Sequence, residues 1–383
     1  MFKQTGNFSI AAGLDICRVF YYIDITSLIW SKALTPCYAA VFIKAMKRSI
    51  LYFILIFISE FLLSAAEKDS FAGFYEGTIT GCKNYPLNGA PEVFAEVSRG
   101  TDSYKVKLLS SIMARSEAHF VVDNLKAENG AIKLDKAGSY KLTGSITPDL
   151  IEAEGFEGKN PVKLSLKRKT VVSPTLGLQP PEGAIVLFNG KDFSKWRASD
   201  GSDLPWEIKD GAMLAKPVVK DGKKIYSDAI TKSAFGPVKI HIEFKIPAEY
   251  HIGGYRGNSG VYFGPYEIQV LDSFGSEGNW MECGSIYRIH PPKVNACLEP
   301  EAWQTYDIEF TPAKWMGERM VDYPRMTVYQ NGVRIHDNEP VYYDTRLTPK
   351  RGENYKHPKG NMPISLQYHG NPVEYRNIWL INK

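Results

Sequence analysis

Along most of the chain apolar and polar residues alternate with the two-residue period of strands rather than the longer period of helices. In Tyr104–Leu109, Tyr104, Val106 and Leu108 face one way and Lys105 and Lys107 the other, as in a half-exposed antiparallel strand. "GFYEGTITG", "AHFVVDNL", "GAIKLD", "GSYKLTGSI", "LIEAEGFEG" and "VKLSLKRK" are further short runs of β-formers, separated by Gly, Asn, Asp and Pro. They predict a small separate β domain over residues 67–170, with no catalytic constellation of its own.

"TVVSPTLGLQPPEGA" then breaks the pattern. Its prolines, Pro174, Pro180 and Pro181, favour extended backbone and disfavour helix, so residues 171–183 are expected to be a linker. From Ala184 the strand signals resume, in "AIVLFNG", "WEIKDGAML", "VKIHIEFKI", "NSGVYFG", "YEIQVLD", "TYDIEFT", "MPISLQYHG" and "VEYRNIWLI". Asn331-Gly332, between "MTVYQ" and "VRIHD", predicts a tight hairpin, because both central residues of a type I′ turn need positive φ. No helical run of ten or more stands out. The predicted class is all-β, with residues 184–383 forming an antiparallel sandwich or jelly roll.

The first 66 residues follow a different plan. Met46 opens "MKRSILYFILIFISEFLLSAAEKDS", with Lys47 and Arg48 as a basic start, an apolar run from Ile50 to Leu63, and small residues at Ser64-Ala65-Ala66. This is the layout of a secretory signal peptide over residues 46–66, and its run is too short for a comfortable membrane span. Residues 1–45 show no periodicity and read as an extension ahead of the true start. The expected location is periplasmic or secreted, with no stable membrane span once the leader is cleaved. Three cysteines follow the leader, Cys82, Cys283 and Cys297. Three is odd, so at least one stays unpaired within the chain; Cys283 and Cys297 could bridge in an oxidising compartment, though buried thiols fit better.

Composition narrows the partners. The net charge is +4, of which +3 belongs to the first 66 residues, so nothing in the balance suggests a nucleic-acid partner. Aromatic residues make up 13% of the chain, which suits both β-structure and a sugar-binding surface.

Two polar rows carry the candidate chemistry. In "YEIQVLD", Glu267 and Gln269 share a strand face, and one β-bulge after Gln269 would bring Asp272 onto it as well. Paired carboxylates suit acid/base work on sugars. In "MPISLQYHG", Ser365, Gln367 and His369 alternate with Ile364, Leu366 and Tyr368; the apolar set should pack between sheets, leaving His369 as a candidate proton shuttle. The glycine-rich "YHIGGYRGNSG" is expected to place Arg256 and Asn258 at a cleft rim. Arg376 fits either a substrate clamp or a surface ion pair, and Trp303 either a sugar platform or a core residue. No cofactor is expected, and no spacing supports a bound divalent metal.

Taken in order, "LFNGKDFSKW", "WEIKDGAML", "RGNSGVYF", "YEIQVLDSFG", "IYR…PPKVNA", "EAWQTYDIEFTP", "VYQNGVRIHDN" and "ISLQYHGNPVEYRNIWL" resemble the 3-keto-disaccharide hydrolase domain family over Ala184 to Lys383. The resemblance implies a concanavalin A-like jelly roll whose concave sheet holds a carbohydrate substrate. The fold is shared with laminarinase-like glucanases, which carry Glu-x-Asp-x-x-Glu on a bulged strand. Here Glu267, Gln269 and Asp272 keep the spacing but change two of the three groups. The implied chemistry is therefore cleavage of 3-keto-glycosides: Glu267 or His369 as base, Asp272 as its partner or acid, and Arg256 or Arg376 as enolate stabiliser. Gln269, Asn258, Tyr287, Trp303 and Gln367 are left as substrate contacts. An endo-glucanase of the same fold and a non-catalytic carbohydrate-binding protein stay open as alternatives. Intact-mass analysis of the natively produced protein is expected to give an N-terminus near Glu67; a retained Met1 contradicts the leader.

Overall fold

Alternating side chains between Gly73 and Lys169 build an antiparallel sheet of nine strands in the computed structural model, which describes residues 69–83, 92–112, 118–220, 222–248, 256–346 and 355–383. The leader and the segment before it lie outside the described residues. Gly73–Thr80 sits mid-sheet, paired with Glu92–Arg99 on one side and Asn160–Lys169 on the other; every pairing is antiparallel. Its apolar face, including Tyr75, Val97, Leu108, Ile132, Leu142, Ile151 and Leu166, forms one hydrophobic core.

Residues from Ile185 to Asn382 form a jelly-roll sandwich of two antiparallel sheets. The larger sheet runs Glu207–Lys209, Ala212–Leu214, Glu374–Asn382, Val238–Lys245, Trp303–Thr311, Arg325–Gln330, Val333–Pro340, with Ile185–Phe188 also pairing to Glu374–Asn382. The smaller runs Trp196–Arg197, Ala229–Phe235, Met362–Leu366, Ser259–Phe263, Tyr266–Val270. Between them lies a second core, where Phe263 of the small sheet stacks on Phe310 of the large one with ring centroids 4.7 Å apart. The hairpin at Asn331-Gly332 has positive φ at both residues (50° and 77°) and pairs Gln330 with Val333, as its sequence predicts. Ile364 and Leu366 point into this core, as the alternation of "MPISLQYHG" requires.

Glu67–Lys383 cluster as one unit, and the two cores meet in a third apolar patch of Phe74, Ile112 and Leu298 with Phe94, Val171, Phe274 and Ala302. Phe74 meets Phe274 edge to face at 5.1 Å. At Gly275, with φ +82°, a Cβ would stand 2.1 Å from the Ser98 Cβ, so only glycine permits this approach. This junction corrects the reading of Tyr104–Leu109 as half exposed. Lys107 is buried, because the sandwich loop covers its face and Glu277 pairs with its Nζ at 2.6 Å, with Glu96 at 3.9 Å. The linker, residues 171–183, is strapped along the sandwich. Ser173 and Thr175 bond Thr305 at 2.7 Å each, Gly177 N–H donates to Glu243, and the Leu178 carbonyl accepts from Asn377 and Trp379.

Cys283 and Cys297 form no disulfide; both are buried thiols that hydrogen bond to one another. Lys107→Met strips the compensating charge from buried Glu96 and is expected to cost about 3 kcal/mol in chemical denaturation, while Glu96→Gln/Lys107→Met recovers most of it. Equal losses in the single and double variants would mean that the pair is not what matters at this junction.

Candidate active site

The small sheet has one dry face and one polar face. In Tyr266–Val270, Tyr266, Ile268 and Val270 enter the core, so the two-residue period sends Glu267 and Gln269 to the opposite side. Pairing then aligns rows across that side. Glu267 lies opposite Tyr262, and Tyr262 opposite Ser365; Gln269 lies opposite Gly260, whose carbonyl accepts the Gln367 N–H. Beyond the strand edge, Ile286 bridges Ile268, so Tyr287 flanks Glu267 and Ser285 flanks Gln269. At the far side, Asp228 precedes Ala229, the partner of Leu366. Gly260 is demanded by this arrangement, since a Cβ there would lie 2.4 Å from Glu267 Oε1.

Despite facing away from the core, Glu267 and Gln269 are only 4% and 5% exposed. The Glu267 backbone is fully engaged: its N–H donates to Thr345 Oγ1 at 3.1 Å and its carbonyl accepts from Tyr287 at 3.1 Å. Burial drives the carboxyl up to about 7, against the pull of the Tyr262 hydroxyl that donates to it and of Arg288 and Arg346; Asp228 pushes in the same direction as burial. Tyr262, itself buried beside this carboxyl, is held far above the ordinary phenol range, and its oxygen accepts from Gln367 Nε2 at 3.2 Å. Asp228 is also raised by burial, partly offset by the Tyr368 N–H and by His369 and Arg346. Arg346 reaches the site because Thr345 anchors its segment to Pro265 and Glu267, while Asp344 holds its guanidinium at 2.9 and 3.0 Å. Gln269 Nε2 donates to the Met281 carbonyl at 3.3 Å; Gln269 Oε1 and Ser285 Oγ are buried without a hydrogen-bond partner among the described residues.

The structure therefore gathers Glu267, Gln269, Tyr287 and Gln367 on one face, with Asn258 and His369 at its end, 3.3 Å apart through Asn258 Nδ2 and His369 Nδ1. It does not bring Asp272 there. The register of Tyr266–Val270 with Ser259–Phe263 runs without a bulge, the strand ends at Val270, and the Asp272 carboxylate is gripped by Nε and Nη2 of Arg256. That pair faces the junction with the first domain, where Arg256 lines a small cleft with Asp69, Arg99 and Glu299. Trp303 and Arg376 lie on the outer face of the other sheet: the Arg376 guanidinium stacks 3.9 Å from the Trp303 ring and donates to buried Glu243 at 2.7 Å. They are neither clamp nor platform for the Glu267 face, because the core of the sandwich separates them from it. Sequence reasoning missed Tyr262, Asp228, Arg288 and Arg346. Tyr262 was findable, two residues from Gly260 on a strand whose Val261 and Phe263 are core. Arg346 carries no local signal; only the fold places it. Among the described residues, no three His, Cys, Asp or Glu side chains gather closely enough to hold a metal ion.

The chain belongs to the 3-keto-α-glucoside-1,2-lyase-like domain family, whose model matches residues 183–381. Among solved structures it is similar to two proteins of Parabacteroides distasonis ATCC 8503 assigned as glycosyl hydrolases. One is 35% identical, over 53% of this chain and 85% of that one, with a TM-score of 0.45; the other is 21% identical, over 53% and 94%, with a TM-score of 0.39. Porphyranase B from Zobellia galactanivorans is 12% identical over 52% of this chain and 87% of its own, with a TM-score of 0.25. No curated protein matches the chain. Family membership makes this a carbohydrate-active, glycoside-directed protein.

The Glu267 shift has a stability consequence. A carboxyl raised from 4.5 to about 7 in the folded state contributes fully below 4.5, and that contribution is lost as pH rises toward 7. Glu267→Gln, which cannot ionise, is therefore expected to be more stable than the native protein by about 3 kcal/mol above pH 7. The gap should close as pH falls toward 4.5. Urea unfolding at several pH values reads it, and a gap independent of pH contradicts the shift.

Proposed function

We propose that this is a secreted enzyme that cleaves the glycosidic bond of 3-keto-glycosides by proton abstraction, elimination and hydration. The observation that carries the reading is the buried Glu267 carboxyl, poised near neutrality beside Tyr262 with Arg288 and Arg346 acting on it. A ketone at C3 acidifies the hydrogen on C2. A base whose pKa lies near working pH combines a useful population of carboxylate with a useful proton affinity. Glu267 takes the C2 proton, and the electron pair moves onto the C3 oxygen as an enolate, which Arg346 is suited to stabilise. The enolate returns its electrons to expel the glycosidic oxygen from C1, leaving an enone. The departing oxygen needs a proton, and the Asp228 and His369 pair at the end of the face can supply one. Water then adds to C1, C2 regains a proton, and the net change is hydrolysis.

Ordinary retaining glucanase chemistry is supported less well. It needs a second carboxyl close to the first to act as acid or nucleophile, and Asp272, which holds that place in the spacing, is bound by Arg256. Asp228 is the one observation in its favour, a second acid on the same face. A purely binding role gives no reason to bury a carboxyl at the cost of its ionisation.

The test is incubation with a 3-keto-disaccharide and with its unoxidised parent. Cleavage of the keto sugar alone is expected, and Glu267→Gln is expected to lower kcat by about a thousandfold, as loss of a general base does. Cleavage of the parent points instead to glucanase chemistry, and binding without turnover to a lectin.

A further inference from the structure

The segment Asn279–Glu282 borders the Glu267 face and presents a tryptophan to solvent. Trp280 is 60% exposed and Met281 41% exposed. Large apolar side chains at the surface are costly to hold in water when they could be turned inward, and this segment is too firmly built for its exposure to come from looseness. The Asn279 side chain accepts the Met281 N–H at 2.7 Å, and Glu282 accepts the Asn279 N–H at 3.1 Å and the Ser276 hydroxyl at 2.6 Å. The same segment is fastened to the site itself. The Trp280 carbonyl accepts the N–H of Arg288, which acts on Glu267, at 2.7 Å, and the Met281 carbonyl accepts from the Gln269 amide. A hydrogen-bonded turn thus holds the exposed Trp280 next to the residues that flank the Glu267 face.

The opposite edge carries a second aromatic surface. Tyr226 is 61% exposed and stacks on Tyr368 at 5.6 Å, and the Tyr368 N–H is bound by Asp228. Between the edges lie four strand-to-strand steps, from Ala229–Phe235 across to the bridge at Ile286, or roughly 19 Å at the usual spacing. That floor is wider than the single ring on which Glu267 acts. Aromatic platforms at the ends of a hydroxyl-binding floor match the two sides of a pyranose ring, whose C–H faces stack and whose rim hydrogen bonds.

Resting on the proposed action at Glu267, we propose that Trp280 is the stacking platform for the sugar ring next to the keto ring. Stacking of this kind is worth about tenfold in affinity. The test uses Glu267→Gln as the non-turning host, titrated calorimetrically with a 3-keto-disaccharide and with a one-ring 3-keto-glucoside carrying a methyl group. Adding Trp280→Ala is expected to lower the ratio of two-ring to one-ring affinity about tenfold, and Trp280→Tyr to restore most of it. An unchanged ratio, or no binding of either sugar by the host, overturns the platform. Absence of turnover by the native enzyme with both keto sugars, alongside a ratio that still falls, overturns the proposed chemistry and leaves the platform standing.

Discussion

A carboxyl group sits on a strand that is covered on both sides, and the site depends on how that is tolerated. Water solvates a carboxylate strongly, and protein interior does not replace that solvation unless several donors converge. At Glu267 the side-chain donor is the Tyr262 hydroxyl, while Arg288 and Arg346 contribute charge. That is too little to keep the group ionised throughout and enough to keep it from being permanently neutral. The glycine at 260 completes the arrangement by leaving the carboxyl a place over the neighbouring strand.

A second buried glutamate shows that the surroundings, rather than the residue type, set this behaviour. Glu243 lies on the outer face of the large sheet beneath the 171–183 strap. Burial pushes it upward too, but Asn377, Arg376 and the Gly177 N–H hydrogen bond to it and the His241 ring stands 3.6 Å away, and it is held at about 2. Glu243 is thus a fixed anion that pins the strap and Arg376, whereas Glu267 is a group that can exchange its proton. The first domain packs on the loop after Val270 through Phe74, Lys107 and the close approach at Gly275, and that loop carries Asp272, which Arg256 holds, and the segment whose Met281 carbonyl binds Gln269.

Much of this was legible in the sequence, and what was not has a common cause. Period-two alternation sufficed to place Glu267 and Gln269 on one face and to send Ile364 and Leu366 inward, and the Asn-Gly pair to foresee the turn at 331–332, because each is decided within a few residues of chain. Pairs set by cross-sheet or inter-domain packing were not legible. Lys107 has the pattern of a solvated lysine until another domain covers it, and Arg376 has the pattern of a clamp until Glu243, more than a hundred residues earlier, is seen beneath it. Spacing alone gave Asp272 a catalytic look, since a bulge is cheap to imagine and the sequence does not reveal that Arg256 claims the carboxylate. Arg346 entered the site through Thr345 hydrogen bonds that leave no trace in local pattern.

The central claim is that Glu267 titrates near neutrality within the folded protein. Carbon-13 NMR of the glutamate side-chain carboxyls, with the Glu267 resonance assigned by its loss in Glu267→Gln, measures this directly. A midpoint near 7 is the expected result. A midpoint near 4.5, the ordinary value for an exposed glutamate, would contradict the account, because such a carboxyl would be a solvated anion and not a base poised against a sugar carbon.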